Sequence, residues 1–223
     1  MYRGATDSNI KIVTSGLLLY LDAAQLRSYP GSGTTWTDLS GNNRNGALTN
    51  GPTFSNTNGG TIVFDGTNDC VNINSNELFL TYTAYTKIAW FYTTNFSATN
   101  NILSGGVRQH AFWLAGSNKL YGGHSSPFTT IGTTTTLSLN TWYCGAVTFN
   151  STTGWVIYLN GVQENTSSDT LTFGANGDIN VGSFTVGNYV FQGNIANAFV
   201  YNRVLSSSEI LQNYNATKTR FGL

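Results

Sequence analysis

The sequence predicts an all-β protein: two stacked antiparallel sheets with one short helix at the carboxyl end. Three observations carry this. Short runs rich in Thr, Val, Ile and aromatic residues alternate between apolar and polar, as a half-buried pleated surface favours. Asn-Gly pairs punctuate them at Asn45-Gly46, Asn50-Gly51, Asn58-Gly59, Asn160-Gly161 and Asn176-Gly177, each suited to a turn with positive φ at both central positions. No long helical pattern lies between the runs, so the crossovers that parallel strands require are missing and antiparallel pairing follows.

In chain order, strands are expected at 17–21, 61–64, 70–73, 83–92, 111–115, 142–149, 155–159, 179–181 and 195–201. The clearest hairpin joins 155–159 to Val162 through Asn160-Gly161. Its first strand places Trp155, Ile157 and Leu159 on one face and Val156 and Tyr158 on the other. Trp90, Trp142 and Trp155 read as sheet core because their neighbours alternate and are apolar. The Thr-rich stretch 129–136 reads as an exposed loop or edge strand, and residues 1–15 as an N-terminal arm preceding the main domain at 16–223.

The helix is signalled at about 207–218. Ser206-Ser207-Ser208-Glu209 has the form of a capping box, with Leu205 and Ile210 spaced for a hydrophobic staple. Phe221 stands where it can tack the tail down.

Composition narrows the function. The 223 residues carry ten basic and ten acidic side chains, and charged residues make up 9 % of the chain against roughly 25 % in an ordinary soluble domain. No basic stripe exists to displace counterions, which excludes an electrostatic nucleic-acid binder. No apolar run reaches the roughly 18 residues of a membrane span. The polar amino terminus lacks the apolar stretch of a secretory signal. Cys70 and Cys144, in apolar strand contexts, read as buried free thiols, with pairing left open by the sequence. These features point to a protein made in a reducing cytoplasm. Contacts of so uncharged a surface should rest on shape, hydrogen bonds and apolar area, and resist salt.

Reagents for catalysis are scarce. The three glutamates, Glu77, Glu164 and Glu209, share no strand-spaced cluster with another acid, whereas a glycosidase needs two carboxylates facing one groove. The two histidines, His110 and His124, have no Cys or carboxylate at metal-ligand spacing. Each reads as a hydrogen-bonded structural residue or, alternatively, as a polar ligand contact beside Trp113 and Tyr121. For a saccharide, an exposed aromatic is the natural platform, and Trp36, Trp113, Tyr121, Phe128 and Tyr189 lie near Gly- or Ser-rich segments. The candidate ligand set is therefore Trp36, His110, Trp113, Tyr121 and His124, with no catalytic residue.

Several segments in order resemble a known family: Gly-Leu-Leu-Leu-Tyr-Leu-Asp-Ala-Ala at 16–24, Tyr-Pro-Gly-Ser-Gly at 29–33 leading to Trp-Thr-Asp-Leu-Ser-Gly at 36–41 and Asn-Asn-Arg-Asn-Gly at 42–46, and Ile-Val-Phe-Asp-Gly-Thr-Asn-Asp at 62–69. Thr-Trp-Tyr at 141–143, Ile-Tyr-Leu-Asn-Gly-Val at 157–162, Gly-Asn-Ile-Ala at 193–196, Tyr-Asn-Arg at 201–203 and Leu-Ser-Ser-Ser-Glu-Ile at 205–210 complete the set. The chain resembles the laminin-G-like branch of the concanavalin A-like jelly rolls. The 29–33 segment and the terminal Phe-Gly-Leu are similar in style to domains of tailed-bacteriophage structural proteins.

The resemblance implies a jelly-roll sandwich with sites on rim loops, and calcium at Asp38, Asn43, Asn45, Asp65 and Asp69. The alternative for these residues is that they cap turns through their own backbone amides. It further implies a non-enzymatic virion component, a head decoration, fibre or tail part, assembled in the host cytoplasm. Such a part would be multicopy or homo-oligomeric and would bind other capsid or tail proteins. The alternative is a carbohydrate-binding module that adsorbs to a host-surface glycan.

Overall fold

The computed structural model describes residues 10–73, 83–96, 100–105, 110–124, 128–172 and 179–223. Its strands run β1 (Leu17–Asp22), β2 (Thr35–Trp36), β3 (Gly46–Thr49), β4 (Thr53–Ser55), β5 (Thr61–Asp65), β6 (Cys70–Ile73), β7 (Ala84–Thr93), β8 (Asn100–Asn101) and β9 (Leu103–Ser104). There follow β10 (Ala111–Ala115), β11 (Lys119–His124), β12 (Thr129–Gly132), β13 (Trp142–Asn150), β14 (Gly154–Leu159), β15 (Val162–Ser167), β16 (Ile179–Val181) and β17 (Gln192–Tyr201), then helix α1 (Ser207–Asn215). Glu77, Asn176-Gly177 and residues 1–9 of the expected arm lie outside the described residues.

All strand pairings are antiparallel, as expected. One layer has the order β15-β14-β13-β7-β17-β5-β4, with β1 also on β17. The other is made of β12-β11-β10-β8 and β2-β3-β6-β16-β9. Ile102, between β8 and β9, joins these two sets: its amide donates to Phe112 O (2.8 Å) and its carbonyl accepts from Gly182 N (3.0 Å).

Two cores result. Between the layers lie Tyr85, Phe91, Phe112, Leu120, Phe149, Trp155 and Ile157 among others. A second cluster, with Tyr20, Ile88, Trp90, Tyr158, Phe199 and Ile210, covers the outer face of the first layer. Strand β7 feeds both by alternation: Tyr85, Ala89 and Phe91 point between the layers, Ile88 and Trp90 outward. The outward residues are roofed by α1 and the tail. Phe221 and Tyr214 stack on Trp90 at 4.0 and 5.6 Å, and Trp90 Nε1 donates to Thr217 Oγ1 at 2.7 Å.

The capping box forms, with Ser206 Oγ accepting from Glu209 N and Glu209 Oε2 from Ser206 N. The helix stops at Asn215, short of the expected 218, and residues 218–221 make a separate 3-10 turn. That turn carries Arg220 into a fully buried ion pair with Asp22 at 2.9 Å. Residues 11–13 lie against α1: Asn213 Oδ1 accepts from Val13 N (2.8 Å), and Gln212 Nε2 donates to Lys11 O (2.7 Å).

The Asn160-Gly161 turn has positive φ at both residues (51° and 79°), as read from the sequence. Asn45-Gly46 departs from that expectation: Asn45 Oδ1 accepts from Asp38 N, and Gly46 opens β3, where a Cβ would lie 2.4 Å from Val71. Both cysteines are buried and free. No helix among the described residues is long and apolar enough to cross a membrane.

Candidate functional site

The second layer has no helix over its outer face among the described residues, and the aromatic candidates separate there by strand phase. In β10, Phe112 and Leu114 point into the core, so Trp113 points out; in β11, Leu120 and Gly122 point in, so Tyr121 points out. The two outward residues are register partners and their rings stack with centroids 5.4 Å apart. Phe128, 45 % exposed, lies 5.7 Å from Trp113. Gly132, the partner of Tyr121 on the other side, makes room for this: a Cβ there would sit 2.6 Å from Tyr121 Cε1, so the ring lies across the glycine. Ser117 Oγ is 3.1 Å from the Tyr121 hydroxyl.

The other three members of the candidate ligand set lie inside, which corrects their reading as ligand contacts. Trp36 is fully buried in the inter-layer core. His124 shares the inward phase of Leu120 and Gly122, 4.4 Å from the rings of Phe149 and Trp155. Its Nδ1 meets Tyr85 OH at 3.2 Å and its Nε2 meets Leu171 O. Burial, reinforced by Lys87 and opposed by the contacts to Leu171 and Asp169, pulls its pKa down to about 4. His110 is buried beside Lys87, its Nδ1 2.9 Å from Lys87 Nζ, and its pKa falls by desolvation first and the Lys87 charge second.

Lys87 escaped notice in the sequence. Its Nζ donates to Leu103 O (2.9 Å) and His110 O (3.4 Å), binding β7 to the facing layer, and burial lowers its pKa well below the usual lysine range. The signal was present: in Tyr85-Thr86-Lys87-Ile88-Ala89-Trp90-Phe91, Lys87 occupies the inward phase.

The calcium set does not assemble. Asp38 and Asn45 adjoin the Gly46 end of β3, while Asp69 adjoins the opposite end, where Thr49 pairs with Cys70. The Asp38 carboxylate already accepts from Tyr20 N, Ser40 N, Ser40 Oγ and Arg44 N at 2.7–3.1 Å, the turn-capping alternative read from the sequence. Asn43 is an exposed loop residue with φ 58°. Asp65 Oδ1 accepts from Thr67 N, and Asp69 Oδ2 from Asp65 N. Burial raises the Asp69 pKa, the Asp65 amide opposes it and the Asp65 charge adds to it. No group of three His, Cys, Asp or Glu able to hold a metal occurs among the described residues. These residues therefore do not fit one calcium centre.

The described glutamates are engaged elsewhere. Glu209 caps α1 and pairs with Arg203 at 2.6 Å, and that contact chiefly lowers its pKa to about 2. For Glu164 burial acts upward, but donors from Thr134 and Thr135 outweigh it and hold the carboxyl below its usual value.

A family model for the concanavalin A-like lectin/glucanases superfamily, of laminin-G type, matches residues 65–211. No curated protein matches the chain in sequence. Among solved structures, the binding domain of Paraclostridial Mosquitocidal Protein 1 superposes with a TM-score of 0.72 at 18 % identity, over 91 % of this chain and 52 % of that one. Domain 4 of AbnA, an extracellular arabinanase of Geobacillus stearothermophilus solved with arabinotriose, gives 0.71 at 16 % identity, over 89 % and 98 %. Trypanosoma rangeli sialidase gives 0.68 at 15 % identity, over 94 % and 34 %. The chain thus spans about half of the mosquitocidal binding domain and a third of the sialidase. With two antiparallel layers, the family motifs in order and a model match over most of its length, the chain belongs to the concanavalin A-like lectin/glucanase superfamily as a laminin-G-like jelly roll.

Proposed function

We propose that this protein is a non-catalytic glycan-binding module whose platform is the outer face of β10–β12. The observation that carries the reading is the cluster of Trp113, Tyr121 and Phe128 rings on a sheet face that no helix of the described residues covers. Adjacent aromatic rings offer an apolar plane to the C–H face of a pyranose or furanose, and the Tyr121 and Ser117 hydroxyls supply polar partners at its margin. The arabinotriose-bound arabinanase domain supports the reading, since it is a jelly roll of closely similar length. The engagement of Glu164 and Glu209 supports a binding role over hydrolysis.

The motifs prompt a virion setting, in which the module would face outward from a head or tail and adsorb to a host glycan. The mosquitocidal protein, arabinanase and sialidase are not virion proteins, and the face would bind the same saccharide wherever it is displayed.

A glycan array probed with the intact chain tests it. Binding to at least one saccharide class that disappears in Trp113→Ala is expected. Binding that survives Trp113→Ala and Tyr121→Ala together would overturn the platform.

A further inference from the structure

Beside the aromatic platform, at the end of the sandwich, a cleft of about 290 Å³ lies between the 66–67 turn, Asn95, Asn100 and the loop 187–192. Four of its nine lining residues, Asn95, Asn100, Asn188 and Gln192, carry carboxamides, with Tyr189 at its lip, 61 % exposed. Tyr189 has φ 49°. Every other non-glycine residue with positive φ among those described is an asparagine, the residue type that tolerates this conformation. A bulky aromatic held there is strained, and strain of this kind persists where the surroundings over-determine it. They do so here: the Asn101 backbone amide and Nδ2 both donate to Tyr189 O, at 3.3 and 3.1 Å. Asn101 is in turn the register partner of Trp113. The Tyr189 loop is thus tied to β8, the strand that pairs with β10 beside Trp113.

The cleft is ordered by hydrogen bonds among its members and to the adjoining Thr185. Asn95 Nδ2 donates to Gln192 Oε1 (3.0 Å), and Asn100 Oδ1 accepts from Gln192 N (3.2 Å). Asn188 Nδ2 donates to Thr185 Oγ1 (3.1 Å). These bonds leave the Gln192 Nε2 donor, the Asn188 Oδ1 acceptor and the exposed Thr67 hydroxyl around a space at the lower limit for a small-ligand pocket. Donor, acceptor and hydroxyl beside a ring match the vicinal hydroxyls and apolar face of a sugar. No cation among the described residues lines the cleft, and the charge next to its 66–67 turn is Asp65, the register partner of Gln192. The Asp65 carboxylate, bonded to the amide of the lining residue Thr67, disfavours an anionic sugar there, and no described lining residue carries a compensating positive charge.

From this we infer that the Tyr189 cleft is a second subsite for a neutral saccharide residue, extending the Trp113 platform so that the module reads an uncharged oligosaccharide. The inference rests on the glycan-binding reading above and adds a second place and a charge preference.

Backbone-amide NMR of the full chain tests it with four probes: α-1,5-arabinotetraose, cellotetraose, maltotetraose and 3′-sialyllactose. The expected result is that a neutral tetrasaccharide shifts amides at both 112–122 and 187–192, and that Tyr189→Asn weakens it about tenfold or more. Asparagine removes the ring while keeping the left-handed backbone, so the loop should survive the change. Shifts at 112–122 with none at 187–192, or unchanged affinity in Tyr189→Asn, would overturn the second subsite and leave the platform standing. Tighter binding of 3′-sialyllactose at 187–192 would overturn the charge preference. No response to any probe, together with an empty glycan array, would overturn both.

Discussion

The two layers of the sandwich treat their outer faces in opposite ways. On the first, Trp90 is enclosed by Tyr214 and Phe221, its indole N–H bonded to Thr217, beneath a helix with a complete capping box. On the second, Trp113 stacks on its neighbour Tyr121, lies against the tilted ring of Phe128 and keeps solvent access. Both are tryptophans at outward positions of strands in one chain. The first is part of a second hydrophobic core and stabilises the fold; the second keeps an accessible face, the one the proposed function uses. In this sandwich an outward aromatic becomes core where a terminal segment reaches it, as at Trp90, and stays accessible where none of the described residues does, as at Trp113.

The largest effect expected on the covered face is at the ion pair beneath the tail. Asp22→Ala leaves Arg220 buried without its partner, and loss of one member of a buried pair costs about 3–5 kcal/mol. Urea unfolding of wild type and variant checks this; a loss below about 1 kcal/mol would mean that the tail detaches freely and that the roof is not part of the core.

Next comes acid. His124 is held neutral in the fold, its pKa lowered from 6.5 to about 4 by burial, and His110 shifts in the same direction. Between these pH values the unfolded chain binds a proton that the folded chain refuses. Stability should be full above about pH 6.5, decline as pH falls toward 4, and receive no further loss from His124 below that. The decline from His124 alone is on the order of 3 kcal/mol. Unfolding measured at pH 7 and pH 4.5 in wild type and His124→Gln should show a shallower decline in the variant.

Smaller still is the helix cap. Ser206→Ala removes the acceptor for Glu209 N and should cost about 1 kcal/mol in thermal unfolding, without touching saccharide binding.

The sequence made the layers and the covered face legible because both rest on local periodicity. Strands 70–73, 111–115 and 179–181 were placed to the residue, and the capping box was read from four letters. β11 went unread because its pattern contains Gly122 and Gly123, which weaken any strand signal. Those glycines answer to distant parts of the fold: a Cβ at Gly122 would strike Val147 of the facing layer, and one at Gly123 would strike the Thr129 carbonyl of β12. In the same way Trp36, His110 and His124 looked available because their strand phases were unassigned. Once β11 is recognised, the spacing Leu120, Gly122, His124 turns the histidine inward without further information. The carboxylate partners of Asp38 come from Tyr20, Ser40 and Arg44, a set brought together only by folding.

The division between the two outer faces is tested most directly by measuring stability and glycan-array binding together in Trp113→Ala and Tyr214→Ala. The account predicts that Trp113→Ala loses array binding while changing unfolding free energy by less than about 1 kcal/mol, and that Tyr214→Ala lowers stability more while keeping the wild-type array profile. Retained binding in Trp113→Ala with loss in Tyr214→Ala would contradict it and place the contact surface on the helix side.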